Sequence, residues 1–140
     1  MIENHWSVLI GQDNDKGYSF EVGTKKRPRK VWKIYSKYQY GHTSRGQRYR
    51  TISFSNLKAK NALAAIMAND DGVFGVPVDA SKNYIAHMQN ETKREVTPGR
   101  WKWEKIKSHY RNDLWDCEVM GIVACSIMGV LKIETNNEDK

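Results

Sequence analysis

Two carboxylates, Asp113 and Asp116, lie in the first turn of a predicted helix that is otherwise apolar and runs on to Leu131. The N-terminus of a helix favours negative charge by about 0.3 to 1 kcal/mol, so an acid there stays ionised even beside a buried face. An ionised carboxylate at the mouth of a core helix can hold a metal ion. A purely structural role also fits, because Asn112 is a good N-cap and acids are common in first turns.

A second pair of acids, Asp13 and Asp15, follows the apolar run Trp6–Ile10 directly, within the turn GQDNDKG. We interpret the run as a buried strand that ends in a turn. In open α/β sheets, ligands bind at the carboxyl edge of the strands, which is where this pair would lie. Turn chemistry explains Asp and Asn at these positions equally well.

The elements that would position these acids follow from hydrophobic periodicity and from turn residues. Ser55 or Asn56 can cap a helix with one apolar side, and Asn112 begins the final helix. The predicted strands are Trp6–Ile10, Val31–Tyr35, Arg50–Phe54 and an edge strand, Arg100–Ile106, and the predicted helices are Leu57–Ala68, Ala80–Glu91 and the final one.

Four connecting segments are less regular in sequence. Tyr18–Gly23 fits a strand, a short helix or an irregular connection, and Val73–Val78 fits a short strand or an extended piece limited by Pro77. The charged segment Lys25–Lys30 is predicted to be a loop interrupted by Pro28. Lys37–Arg50 interleaves aromatic residues with cations, which favours a loop or hairpin that follows phosphates and stacks on bases.

The chain has 140 residues and a formal charge of +7, which fits a single folded domain with an unevenly charged surface. From Lys16 to Lys60 there are thirteen Lys or Arg residues and one acid, Glu21. Clustered positive charge is typical of nucleic-acid binding, and a solvated basic face without a partner is the alternative. The candidate DNA-binding residues are Lys25, Lys26, Arg27, Arg29, Lys30, Arg45, Arg48 and Arg50.

No secretion signal or membrane span is predicted. The apolar run from Val119 to Leu131 is shorter than the ~20 residues that a span requires, so we expect a core helix. Cys117 and Cys125 have a spacing that suits neither a disulfide within a helix nor a zinc site. Both are expected to be small buried hydrophobic residues in a reducing compartment, which favours the cytoplasm.

Several short motifs in order resemble one known family. Asp15-Lys16-Gly17-Tyr18 looks like an Asp-Ser-Gly-Tyr signature, and a basic strand from Arg29 to Ile34 and a strand and helix from Ser53 to Met67 follow it. Val76-Pro77 and Glu91 resemble a later proline and acid. The most specific match is the closing motif, in which Asn112, Asp116 and Cys117 stand where the family has Asn, Asp and Cys. The chain resembles the nuclease domain of the large terminase subunit of tailed bacteriophages, in its lambda-like GpA branch.

This resemblance implies a fold and a chemistry. The expected fold is α/β, a ribonuclease H-like mixed sheet flanked by helices and lacking the family's first strand or strands, over residues 6–133, with a disordered tail at 134–140. The implied metal ligands and catalytic acids are Asp15 and Asp116, with Asn112 and Asp113 in support. The expected cofactor is Mg²⁺ or Mn²⁺ in a two-metal site, because hard cations prefer carboxylate oxygens and two ions stabilise the attacking and leaving oxygens.

The family's first acid precedes this chain, so a third ligand has to come from elsewhere. Asp13 is the favoured substitute, ahead of Asp113 and Glu118. No GxxxxGK[ST] motif occurs, so we expect no ATPase in this polypeptide.

Two functions stay open: a metal-dependent DNA endonuclease domain, or a split fragment of one, and an inactive basic DNA-binding module or prophage remnant. The implied partners are double-stranded DNA and, in a bacterial host cell, a separate ATPase or upstream terminase polypeptide, the small terminase subunit and the portal.

Overall fold

The computed structural model describes residues 7–69 and 74–133. These residues form a mixed α/β structure with several small sheets and three helices, which confirms the α/β class. The elements in chain order are β1 (Ser7–Gln12), β2 (Tyr18–Thr24), β3 (Arg27–Lys33), β4 (Gln39–His42), β5 (Arg48–Ser55), α1 (Asn56–Met67), α2 (Lys82–Met88), β6 (Glu91–Thr97), β7 (Arg100–Lys105) and α3 (Asp113–Ile127).

The central sheet has the strand order β1-β5-β4. β1 is parallel to β5, with Leu9 opposite Ile52, and β4 is antiparallel to β5. Because β1 and β5 run in the same direction, their carboxyl ends meet at one edge, where β5 leads directly into α1. Of the two predicted caps, Ser55 is the one that begins that helix, since its hydroxyl accepts a hydrogen bond from the Lys58 amide at 3.2 Å.

The core lies between this sheet and the two longer helices. α3 contributes Trp115, Val119 and Val123, spaced four residues apart so that all three share one face. α1 contributes Ala59 and Leu63, both fully buried. The cluster is completed by Ile34, Phe54 and Met88. The final apolar helix is therefore a core helix, as its sequence predicts.

Two antiparallel hairpins stand beside the central sheet. β2 pairs with β3, and β6 pairs with β7. Of the three structures left open for Tyr18–Gly23, the strand is the one that forms. The loop predicted at Lys25–Lys30 is wrong because β3 begins at Arg27. Pro28 is tolerated there because a strand of a two-stranded hairpin has one unpaired edge, which needs no donor.

The middle helix is shorter than the sequence predicts. Ser81 caps α2 by accepting a hydrogen bond from the Tyr84 amide, and the helix ends at Met88, so the prediction of a helix as far as Glu91 is wrong. Asn90 is buried and its amide bonds to a distant loop, which draws the chain out of the helix. Glu91 consequently begins a strand.

Other predictions have mixed outcomes. Residues 74–78 form no strand, and Cys117 is exposed rather than buried, because it lies off the face of α3 that carries the core residues. Cys125 is partly exposed. Trp6, Val73 and the tail at 134–140 lie outside the described residues. Within the described residues, no helix is long and apolar enough to cross a membrane.

Candidate functional site

A buried ion pair between Glu91 and Lys60 forms the centre of the candidate site. The Lys60 ammonium lies 2.8 Å from Glu91 Oε1 and 2.7 Å from Oε2, so it contacts both carboxylate oxygens. The Lys60 side chain is 12% exposed and the Glu91 side chain is 4% exposed. The same ammonium lies 3.4 Å from Oδ1 of Asp116, which is 48% exposed. One cation thus joins a buried carboxylate to one that faces solvent.

Asn112 links the same two carboxylates from the other side. Its Nδ2 donates to Oε1 of Glu91 and, at 3.3 Å, to Oδ2 of Asp116. Asn112 is the N-cap residue of α3, as the sequence predicts, but its side chain makes no capping hydrogen bond. Instead the Leu114 amide donates to Nδ1 of His87 at 3.3 Å, so an imidazole from α2 accepts at this helix N-terminus.

The four side chains come from distant parts of the chain. Lys60 lies on α1, Glu91 begins β6, and Asn112 and Asp116 lie at the start of α3. Asn90 fixes their relative positions, since its Nδ2 donates to the carbonyls of residues 107 and 110 at 3.2 and 3.1 Å, and its Oδ1 accepts from the amide of residue 107 at 3.0 Å. The loop that leads to α3 is therefore tied to the residue next to Glu91.

A pocket of about 260 Å³ opens beside Lys60 and Asp116. It lies where β1 and β5 end, which is the sheet edge to which the sequence analysis assigned Asp13 and Asp15, but neither of these acids lines it. Gly11 and Asn56 both line it and lie so close together that a Cβ at position 11 would be 2.4 Å from Oδ1 of Asn56, so a larger residue there would displace the Asn56 side chain. The half-exposed carboxylate of Asp116 faces this space together with the Lys60 side chain.

The acids of the β1–β2 turn have different partners. Asp13 lies 3.5 Å from the Lys102 ammonium, with both side chains exposed. Burial lowers the pKa of Lys58, and the charge of Asp15 acts in the opposite direction. Lys58 lies against this turn, since a Cβ at Gly17 would be 3.4 Å from its Cδ, whereas Lys60 contacts Asp116. Residues two positions apart on a helix do not share a face, so the turn and Asp116 meet different sides of α1.

No group of three or more His, Cys, Asp or Glu side chains arranged to hold a metal occurs within residues 7–69 and 74–133. The role of Asp13 and Asp15 as ligands therefore stays a prediction, and the acid that accompanies Asp116 in the structure is Glu91.

The two remaining candidate acids also have other partners. Asp113 accepts a hydrogen bond from Nε of Arg111 at 2.6 Å, on the exposed side of the helix start. Glu118 accepts from the Tyr84 hydroxyl at 3.1 Å. Burial, and then the hydrogen bond and negative charge of Glu118, raise the pKa of Tyr84.

The basic residues form a separate surface. All the cations from Lys25 to Lys30 are exposed at the end of the β2–β3 hairpin. On the β4–β5 hairpin, the Arg48 guanidinium lies 3.4 Å from the ring centre of Tyr40, and the rings of Tyr38 and Tyr40 meet edge to face at 5.5 Å. Arg45 is exposed at that hairpin's connection, whereas Arg50 is partly buried.

Sequence reasoning missed Lys60 and gave Glu91 no place among the site residues. The signal for Glu91 was present, because the resemblance includes an acid after the Val76-Pro77 pair. Nothing in the sequence distinguishes Lys60 from the other cations between Lys16 and Lys60. Only the folded structure shows that it contacts both carboxylates.

The comparisons agree with the resemblance seen in the sequence over residues 21–136, a range that does not include the Asp15-Lys16-Gly17-Tyr18 motif. The family model described as the terminase large subunit gpA, endonuclease domain, matches residues 21–136, well over half of the chain. The chain therefore belongs to this family of terminase nuclease domains, which are involved in DNA packaging. No curated protein and no solved structure is similar enough to match it.

Proposed function

We propose that this chain is a DNA endonuclease domain of phage packaging in which Asp116 and Glu91 supply the carboxylates that bind a divalent cation. The observation that carries the proposal is the convergence of these acids on Asn112 and Lys60 beside an open pocket. Asp116 is supported twice, because it belongs to the closing sequence motif and it lines the pocket.

The donor set fits one hard cation. Two carboxylates are what Mg²⁺ usually takes from a protein, since it keeps several of its waters. Nδ2 of Asn112 donates to both acids, which holds their oxygens close together and leaves its carbonyl oxygen as a further hard donor. A second ion would need further ligands, for which Asp15 and Asp13 remain the proposed sources.

The chemistry that a bound Mg²⁺ or Mn²⁺ supplies is Lewis-acid stabilisation of the phosphodiester oxygens and a more acidic bound water. The residues of this chain do the rest. Asn112 orients both carboxylates, and Lys60 balances the negative charge of the two neighbouring acids until a metal ion binds between them.

The exposed hairpin cations are proposed to hold double-stranded DNA. The major groove of DNA admits a two-stranded β-ribbon, and the β2–β3 hairpin presents its charges on such a ribbon. The Arg48–Tyr40 pair on the neighbouring hairpin offers a cation and a stacking surface together. DNA movement would need a separate ATPase, with the small subunit and portal as further partners in the bacterial cytoplasm.

Nicking of supercoiled plasmid in Mg²⁺ or Mn²⁺ tests this proposal. We expect cleavage by the parent protein and its loss in Asp116→Ala and Glu91→Gln, while Asp79→Ala, an exposed acid outside the site, keeps it. Asp15→Ala tests the turn acid separately. Cleavage that survives Asp116→Ala, or no cleavage by the parent with any divalent ion, would refute the enzymatic proposal.

The alternative is a DNA-binding module without chemistry, which is favoured by the observation that Lys60 already neutralises Glu91. It predicts binding whose log K falls linearly with log salt, with a slope that decreases by about 0.9 for each phosphate contact removed. Replacing Lys25 and Lys26 with alanine should reduce that slope. Binding unaffected by Asp116→Ala, without cleavage by the parent, is the result that distinguishes this alternative.

A further inference from the structure

The Lys60 ammonium lies where a cation shared by Glu91 and Asp116 would have to bind. It is within 2.8 Å of both oxygens of Glu91 and within 3.4 Å of one oxygen of Asp116. The remaining oxygen of Asp116 accepts from Asn112, as does Oε1 of Glu91. All four carboxylate oxygens are therefore already engaged by groups of the protein.

We propose that Lys60 is the resident cation of this site and competes with a divalent ion for Glu91 and Asp116. The inference rests on the proposed function, since it concerns the same two carboxylates. While the Lys60 ammonium contacts Glu91 and Asp116, it excludes a metal ion from the site. A metal ion can bind there only when Lys60 moves away.

The environment of each group supports this competition. Glu91 is almost completely buried, so its negative charge requires a compensating cation at all times. The Lys60 ammonium is a compact charge on a flexible stem, and its side chain also lines the pocket, which gives it a place to move to. Asp116, being half exposed, is the carboxylate at which an incoming ion would make first contact.

Replacing Lys60 with methionine removes the competing charge and keeps most of the side-chain volume. Calorimetric titration with Mn²⁺ should show binding at least tenfold tighter in Lys60→Met than in the parent protein. The gain should disappear in the double variant Lys60→Met, Glu91→Gln. Lys82→Met is the matched control, since Lys82 is exposed at the start of α2, and it should bind Mn²⁺ as the parent does.

Equal Mn²⁺ affinity in Lys60→Met and the parent protein would overturn the inference. So would an equal gain in Lys82→Met, because the effect would then come from net charge rather than from the position of Lys60. If Lys60→Met does not fold, the parent protein still gives a test: its ¹⁵N-labelled Lys60 ammonium should give a slowly exchanging signal that is lost as Mg²⁺ is added. A signal that persists while Mg²⁺ saturates the protein contradicts the competition.

The outcomes separate this inference from the proposed function. Tighter Mn²⁺ binding by Lys60→Met, without DNA cleavage by the parent, supports the competing ammonium and refutes the enzymatic activity. Metal-dependent cleavage by the parent, with equal Mn²⁺ affinity in both proteins, does the reverse.

Discussion

The coupling between Glu91 and Lys60 can be measured as a free energy with a double-mutant cycle in metal-free buffer. At about 3 Å and an effective dielectric of about 20, two unit charges attract by about 5 kcal/mol. Removing water from both groups offsets part of this attraction. Each single variant also leaves its partner a remaining contact, with Asp116 for Lys60 and with Asn112 for Glu91. We expect a coupling of about 2 to 3 kcal/mol, below the 3 to 5 kcal/mol cost of stranding a buried charge.

The variants are Glu91→Gln, Lys60→Met and their combination, and the measurement is urea unfolding followed by tryptophan fluorescence. The two single changes should each destabilise the protein, and the double variant should lose less than the sum of both. A coupling below about 0.5 kcal/mol is the value of an exposed pair. Such a result would refute the buried, bidentate geometry on which the site rests.

Three further predictions concern the groups around the site. Asn90→Ala should cost about 2 to 3 kcal/mol in urea unfolding, because it leaves buried backbone groups unpaired, and Asn90→Asp should not restore the lost stability. Trp103→Phe removes the hydrogen bond from the indole to Asn61 at 3.0 Å and should cost about 1 kcal/mol; an unchanged unfolding midpoint would contradict that contact. Because the pKa of Tyr84 is raised in the folded protein, its contribution to stability is present below pH 10 and is lost as the pH rises through the folded pKa. Tyr84→Phe should therefore flatten the dependence of the unfolding free energy on pH in this range. An identical dependence in both proteins would argue against the contact with Glu118.

The elements whose signals are local were predictable from the sequence. Ser55 begins α1 because a hydroxyl at that position can accept from a backbone amide three residues on, which depends on neighbouring residues alone. The core face of α3 follows from the four-residue spacing of Trp115, Val119 and Val123. The aromatic and basic residues that precede β5 were predicted to form a loop or a hairpin, and β4 and β5 form the hairpin.

The position of Glu91 was not predictable in this way. The apolar spacing of Tyr84, Ile85 and Met88 predicts a helix, and Asn90 is only a weak local signal for its end. The chain leaves the helix because Asn90 bonds to a loop that precedes α3, far along the chain. The partner that completes the ion pair, Lys60, is equally distant. Contacts of this kind are products of the tertiary fold, so single-sequence periodicity carries no record of them.

The Asn112 side chain could either cap the N-terminus of α3 or donate hydrogen bonds to Glu91 and Asp116, and it does the second. A residue at the start of a helix ordinarily accepts from the helix amides, whereas the site requires this amide group to donate to two acids. The fold resolves the conflict by taking an acceptor, His87, from α2. The short helix α2 thus supplies the acceptor at the N-terminus of α3. A substitution in α2 that touches neither carboxylate can therefore return the Asn112 side chain to capping α3, and Glu91 and Asp116 would then lose their shared hydrogen-bond donor.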